Sequence, residues 1–151
     1  MEALIETFYT ALNNGDAETM ASCYHDEIIF EDPAFGTLKG ERAKNMWRML
    51  CKNGKGFRVE FSQVEANENN GKAHWEAWYT FSKTARSVHN KIDAKFEFKD
   101  GKIIKHTDYF DIHRWASQAM GWKGKLFGGM NFFKKKVNEQ SNLTLDKFIG
   151  S

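Results

Sequence analysis

The chain has 151 residues and a formal charge of +2, enough for one domain with a single sizeable core, and that charge argues neither for nor against a charged partner. No apolar run approaches the roughly 18 residues that span a bilayer, and Met1-Glu2-Ala3-Leu4 starts directly into a helical pattern without a signal peptide, so a cytoplasmic protein is expected. Aromatics make up 15% of the residues, with 13 Phe and 5 Trp; a lined cavity or a subunit interface would use that excess of apolar surface.

Leu4, Phe8, Ala11 and Leu12 repeat at helical spacing, and Asn13-Asn14-Gly15 ends that helix. Asp16 then caps a short second helix running to about Tyr24, with Ala17, Met20, Ala21 and Tyr24 inward. The alternation in Glu27-Ile28-Ile29-Phe30-Glu31-Asp32-Pro33 predicts a strand, with Ile28, Phe30 and Asp32 facing inward and Pro33 ending it. Gly40 precedes a third helix whose buried stripe is Ala43, Met46, Trp47 and Leu50. After Asn53-Gly54-Lys55-Gly56 the period changes to two. Phe57, Val59 and Phe61 alternate with polar residues, and Asn67 to Gly71 form a turn cluster. Next come inward sets at Ala73, Trp75, Ala77, Tyr79 and Phe81, and at Ile92, Ala94, Phe96 and Phe98. Asp100-Gly101 is a hairpin turn, and the last strand carries Ile104, His106, Asp108 and Phe110 inward, against Ile103, Lys105, Thr107 and Tyr109 outward. Helices followed by a meander of long strands define an α+β fold with the helices on one face of the sheet. Cys23 and Cys51 lie on apolar helix faces and make neither a metal spacing nor a disulfide framework, so no metal site and no cofactor is expected.

The outer sheet face places His74, Trp78, Ile103 and Tyr109 among Lys91, Asp93, Lys95 and Glu97. A homodimer interface is the simplest covering for it, and a polar face shielded by the C-terminal tail is the alternative. That tail, from Gly121 on, mixes Trp122, Phe127, Phe132 and Phe133 with glycines and lysines. Such a segment suits nucleic acid or an anionic membrane. Met130, Phe133 and Val137 fit a helix stripe, however, so packing on the body or on a second subunit is expected, with no nucleic-acid and no membrane partner.

Asp32 has two readings. Its carboxylate either accepts hydrogen bonds from the turn Pro33-Ala34-Phe35-Gly36, or lies desolvated in a pocket with a raised pKa. The run Gly15-Asp16, Tyr24-His25-Asp26-Glu27, Glu31-Asp32-Pro33, Gly40 and Asp100-Gly101-Lys102-Ile103, in that order, resembles the nuclear-transport-factor-like superfamily, and most closely its SnoaL-like and ketosteroid-isomerase-like branch. The likeness covers about residues 3–113. It implies a cone-shaped roll, a curved antiparallel or mixed sheet around a pocket closed by three N-terminal helices. On this reading residues 1–120 form the domain and residues 121–151 a basic, aromatic helical extension.

The resemblance matches Asp32 to the proton-shuttling Asp of ketosteroid isomerase. The oxyanion-holding Tyr and Asp of that enzyme fall at Phe8 and Ala94, with Tyr9 and Asp93 one residue off and facing the wrong way, so steroid isomerisation is not implied. The inward acid of SnoaL-like cyclases matches Asp108 or lies close to it. Asp32, His106 and Asp108 thus become candidates for proton transfer, with Phe8, Tyr9, Phe30, Trp47, Trp75, Tyr79, Phe96 and Phe110 candidates for binding a small apolar substrate, and His106 or Tyr9 the candidate donor to a developing oxyanion. The alternative is a non-catalytic dimeric module in which His106 and Asp108 pair only to satisfy each other.

Overall fold

The computed structural model describes residues 1–54 and 56–151; Lys55, in the predicted turn after helix three, lies outside the described residues. Helix α1 (Glu2–Asn13) ends at Asn14, and Asp16 caps α2 (Ala17–Cys23) by accepting from the Thr19 amide at 3.0 Å. Tyr24 opens β1 (Tyr24–Asp32) and does not end the helix. The turn after Pro33 leads into a short strand absent from the sequence reading, β2 (Gly36–Lys39), which folds back on β1. Helix α3 (Glu41–Asn53) and strands β3 (Arg58–Ala66), β4 (Asn70–Phe81), β5 (Arg86–Lys99) and β6 (Lys102–Tyr109) follow, then α4 (Ile112–Met120), α5 (Trp122–Phe127) and α6 (Asn131–Ile149).

The strands form one curved six-stranded sheet in the order β2-β1-β6-β5-β4-β3, antiparallel except where β1 runs parallel to β6. This is the expected α+β cone with a C-terminal helical tail. Asp100 and Gly101 have φ of 54° and 72°, the backbone a two-residue hairpin needs to match strand twist. Directly after it the ladder slips, since Phe98 pairs with Ile103 but Glu97 with Lys105. Ile104 is therefore the extra residue of a bulge. The bulge reverses one expected assignment: Ile103 is fully buried and Ile104 only half-buried. Beyond it the alternation resumes as expected, with His106 and Asp108 inward.

The core lies between the concave sheet face and α1 to α3, and includes Phe8, Leu12, Met20, Phe30, Met46, Trp47, Trp75, Ile92 and Phe96. Tyr9 also belongs to it, contrary to the outward orientation expected from the resemblance. Its ring is fully buried, 5.5 Å from that of Trp75 and 5.7 Å from that of Phe61, because the apolar arc of α1 runs through Ile5, Phe8, Tyr9 and Leu12 and is not centred on Leu4. In the tail, Val137 and Leu145 are buried, whereas Met130 is exposed and Phe133 only half-buried, so the expected Met130-Phe133-Val137 stripe forms only at its C-terminal end.

Candidate active site

At the end of β1, Asp32 Oδ1 accepts hydrogen bonds from the Ala34 and Phe35 amides at 2.9 and 2.6 Å. The turn reading is therefore realised at Oδ1. Asp32 lines a cavity of about 340 Å³ together with Phe30, Trp47, Trp75, Tyr79, Asp108 and Phe110. Burial pushes its carboxyl up to about 7, opposed by the Phe35 amide bond and reinforced by the negative charge of Asp108.

Asp108 reaches the same space from β6, where it pairs with Ala94 of β5. Its Oδ1 accepts from Trp75 Nε1 at 3.2 Å and meets His106 Nε2 at 2.9 Å. His106 is fully buried and does not line the cavity; aromatic rings enclose it, with Phe96 at 4.6 Å, Phe30 at 5.2 Å and Phe8 at 5.5 Å between centroids. Its other nitrogen, Nδ1, lies 2.7 Å from the Tyr24 hydroxyl, which accepts from Trp47 Nε1 at 2.9 Å.

The polarity of this chain follows from its end. An indole N–H can only donate, so the Tyr24 oxygen accepts from Trp47, and its own proton is free to go to His106 Nδ1 when the imidazole holds its proton on Nε2. In that tautomer Nε2–H donates to Asp108 Oδ1. Every donor points towards one carboxylate, which is thereby fixed in orientation, and hydrogen bonds from the described residues engage only Oδ1. Two carboxylates thus approach one largely apolar cavity. Asp32 is held by a turn, and Asp108 is held by an aromatic-sheathed relay.

Of the residues singled out for binding, Phe30, Trp47, Trp75, Tyr79 and Phe110 line the cavity, while Phe8, Tyr9 and Phe96 stand behind it. The Tyr9 hydroxyl is buried with no hydrogen-bond partner among the described residues. Sequence reasoning missed Tyr24, whose role needs the parallel β1–β6 pairing to bring it to His106. It also missed Trp115 of α4, which donates to the Tyr79 hydroxyl at 2.7 Å, and the α6 residues Val137, Gln140, Ser141 and Thr144, which line the cavity. No cluster of three or more His, Cys, Asp or Glu able to hold a metal occurs among the described residues. No helix there is long and apolar enough to cross a membrane.

A curved sheet wrapped over helices, with acids on its concave face, is the nuclear-transport-factor-like architecture. Within it, residues 5–106 match the SnoaL-like domain, and the chain belongs to that family. It is 25% identical over 109 residues, 72% of each chain, to "Epoxide hydrolase EphG" of Mycobacterium tuberculosis (strain ATCC 25618 / H37Rv). Among solved structures it is similar to an LEH-like epoxide hydrolase of M. tuberculosis, with a TM-score of 0.63 and 24% identity over 83% of this chain and 89% of that one. A protein from Catenulispora acidiphila DSM 44928 with a ketosteroid-isomerase-like fold, in complex with trimethylamine, superposes with a TM-score of 0.68 at 10% identity, covering 78% and 92% of the two chains.

Proposed function

We propose that the protein is a general acid–base enzyme acting on a small, mostly apolar molecule that carries an oxygen electrophile. The observation that carries this is the pair of unlike carboxylates at one cavity. Asp32, titrating at about 7, holds a proton it can give up near neutrality, and Asp108, with donors on Oδ1, presents an oriented acceptor. The roughly 340 Å³ cavity lies at the small end of the roughly 300–1,000 Å³ typical of ligand sites.

The likeness to a protein named as an epoxide hydrolase favours hydrolytic ring opening within this class. Asp108 takes a proton from water as its oxygen attacks an epoxide carbon. The carbon–oxygen bond breaks, and Asp32 protonates the departing oxygen. Proton return from Asp108 to Asp32 through solvent completes the cycle. His106 positions Asp108. The test is incubation with small apolar epoxides in ¹⁸O-labelled water. One labelled oxygen in the diol is expected, with Asp32→Asn and Asp108→Asn each losing about 10²–10⁴-fold in rate. A panel of small apolar epoxides left unturned would refute the hydrolytic reading.

A non-catalytic ligand-binding module is the second reading, favoured by Phe8 and Ala94 at the positions where the isomerase resemblance calls for oxyanion donors. An apolar ligand bound equally by wild type and Asp32→Asn, without turnover, would establish it. A homodimer through the outer sheet face remains part of the proposal. Its support is Trp78, sandwiched by Arg58 at 4.1 Å and His89 at 4.4 Å, with Tyr109 exposed further along the same face; buried Ile103 no longer contributes.

A further inference from the structure

The C-terminal segment does not pack as its composition suggests. Helix α5 lies against α4 through glycine: a Cβ on Gly124 would overlap the Ala116 carbonyl, and one on Gly128 would come within 2.9 Å of the Ala116 side chain. With glycines on the inner face, the bulky residues are left outside. Trp122 is 69% exposed, Leu126 60% and Phe132 54%. Met130 joins them, so four of the seven large apolar side chains exposed among the described residues fall in this segment.

Charge follows the same segment. Between Asp111 and Glu139 the chain carries Arg114, Lys123, Lys125, Lys134, Lys135 and Lys136 and no acidic residue. None of these cations forms an ion pair among the described residues. Lys83, in the β4–β5 turn, adds to them at a groove formed with Phe81, Trp122, Phe127 and Phe132. Phe81, Lys83 and Met120 line both this groove and the cavity that holds Asp32 and Asp108. The groove therefore adjoins the cavity across these three side chains.

We infer that this platform, Trp122, Leu126, Met130 and Phe132 framed by Lys123, Lys125 and Lys134 to Lys136, docks on an anionic lipid bilayer surface and opens the cavity towards it. Lysines near an anionic leaflet draw the chain in, and Trp and Phe settle at the headgroup level. A polyanion without an apolar phase would leave Leu126 and Met130 in water, which is why a bilayer suits the surface better than nucleic acid. This departs from the expectation of no membrane partner, which relied on the tail's aromatics being packed away. The docking stands on the platform alone; only the delivery of an apolar substrate rests on the proposed function.

The experiment is co-sedimentation of the full chain with vesicles of phosphatidylcholine alone and of phosphatidylcholine and phosphatidylglycerol in equal parts, read without any activity assay. Binding is expected only to the anionic vesicles, and it should be lost in high salt. The exposed triple change K134Q/K135Q/K136Q should weaken it about a hundredfold, at roughly fivefold for each charge near the surface. W122S/F132S should weaken it while circular dichroism stays unchanged. Absence of binding to anionic vesicles, or equal binding by W122S/F132S, overturns the inference. Tighter binding to single-stranded DNA than to vesicles, or self-association lost in W122S/F132S without vesicle binding, overturns it in favour of another occupant.

Discussion

Asp32→Asn replaces one carboxylate oxygen with an amide nitrogen while keeping an oxygen to accept from Ala34 and Phe35. Its effect on stability follows from the titration of the residue it removes. Burial raises the carboxyl from its ordinary 3.8 to about 7. Below about pH 4 the group is protonated in folded and unfolded chains alike. As the pH climbs from 4 to 7 the unfolded chain gives up its proton and the folded chain keeps it, so this group's contribution to stability falls. Past about pH 7 the whole cost is present, on the order of 4 kcal/mol at about 1.4 kcal/mol per pH unit. Asn carries no such dependence. The stability difference between Asp32→Asn and wild type should therefore grow in the mutant's favour by about 4 kcal/mol between pH 4 and pH 8. That corresponds to roughly 8–16 °C in Tm for a chain of this size. Urea and thermal unfolding of both proteins at the two pH values measure it. A difference that stays constant with pH would refute the desolvated carboxyl. A mutant less stable than wild type at pH 8 would mean that the turn bonds need the full charge.

Tyr9→Phe deletes a buried hydroxyl that has no partner among the described residues and should leave stability unchanged or raise it by about 1 kcal/mol; a loss in Tm would reveal a bound water holding that oxygen. Tyr24→Phe strands both Trp47 Nε1 and His106 Nδ1, so urea unfolding should show a loss of about 1–3 kcal/mol, and wild-type stability would show that the relay is not formed. Trp78 lies between Arg58 and His89 on the neighbouring strands, so Trp78→Arg adds like charge at the proposed dimer contact. Sedimentation should show a dimer for the wild type and a monomer for the variant at micromolar concentration, and a wild-type monomer would refute the interface.

How far the site could be read in the sequence depended on whether a local pattern carried it. Strand alternation alone put Asp32, His106 and Asp108 on inward faces, because a period of two survives along β1 and the later part of β6. The same rule failed at Ile103, since a bulge next to the Asp100-Gly101 turn changes which face a residue meets, and no composition signal marks it. Tyr9 was misplaced for a related reason. The apolar arc on α1 is wide enough to hold both Phe8 and Tyr9, which lie about 100° apart, slightly more than a quarter turn, so a one-residue offset from a relative's single Tyr position does not take the side chain out of the core. The relay from Trp47 through Tyr24 could not be read at all, because it joins residues 82 positions apart across a parallel strand pair.

The least legible contribution to the site comes from the tail. Asn138 and Asn142 of α6 donate to the carbonyls of Ala34 and Phe35 at 3.3 and 2.9 Å. These are the residues whose amides hold Asp32, so the turn is gripped from both sides. Arg42 of α3 fastens the same stretch of α6, reaching Asn142 Oδ1 at 2.9 Å and Asp146 Oδ1 at 2.7 Å. Val137, Gln140, Ser141 and Thr144 then form part of the cavity wall. The water exclusion that raises the Asp32 pKa is thus supplied partly by a helix about a hundred residues further along the chain. A strand pattern could show that Asp32 points inward. The docking of α6 on the Asp32 turn adds to the burial that pushes this carboxyl up towards neutrality.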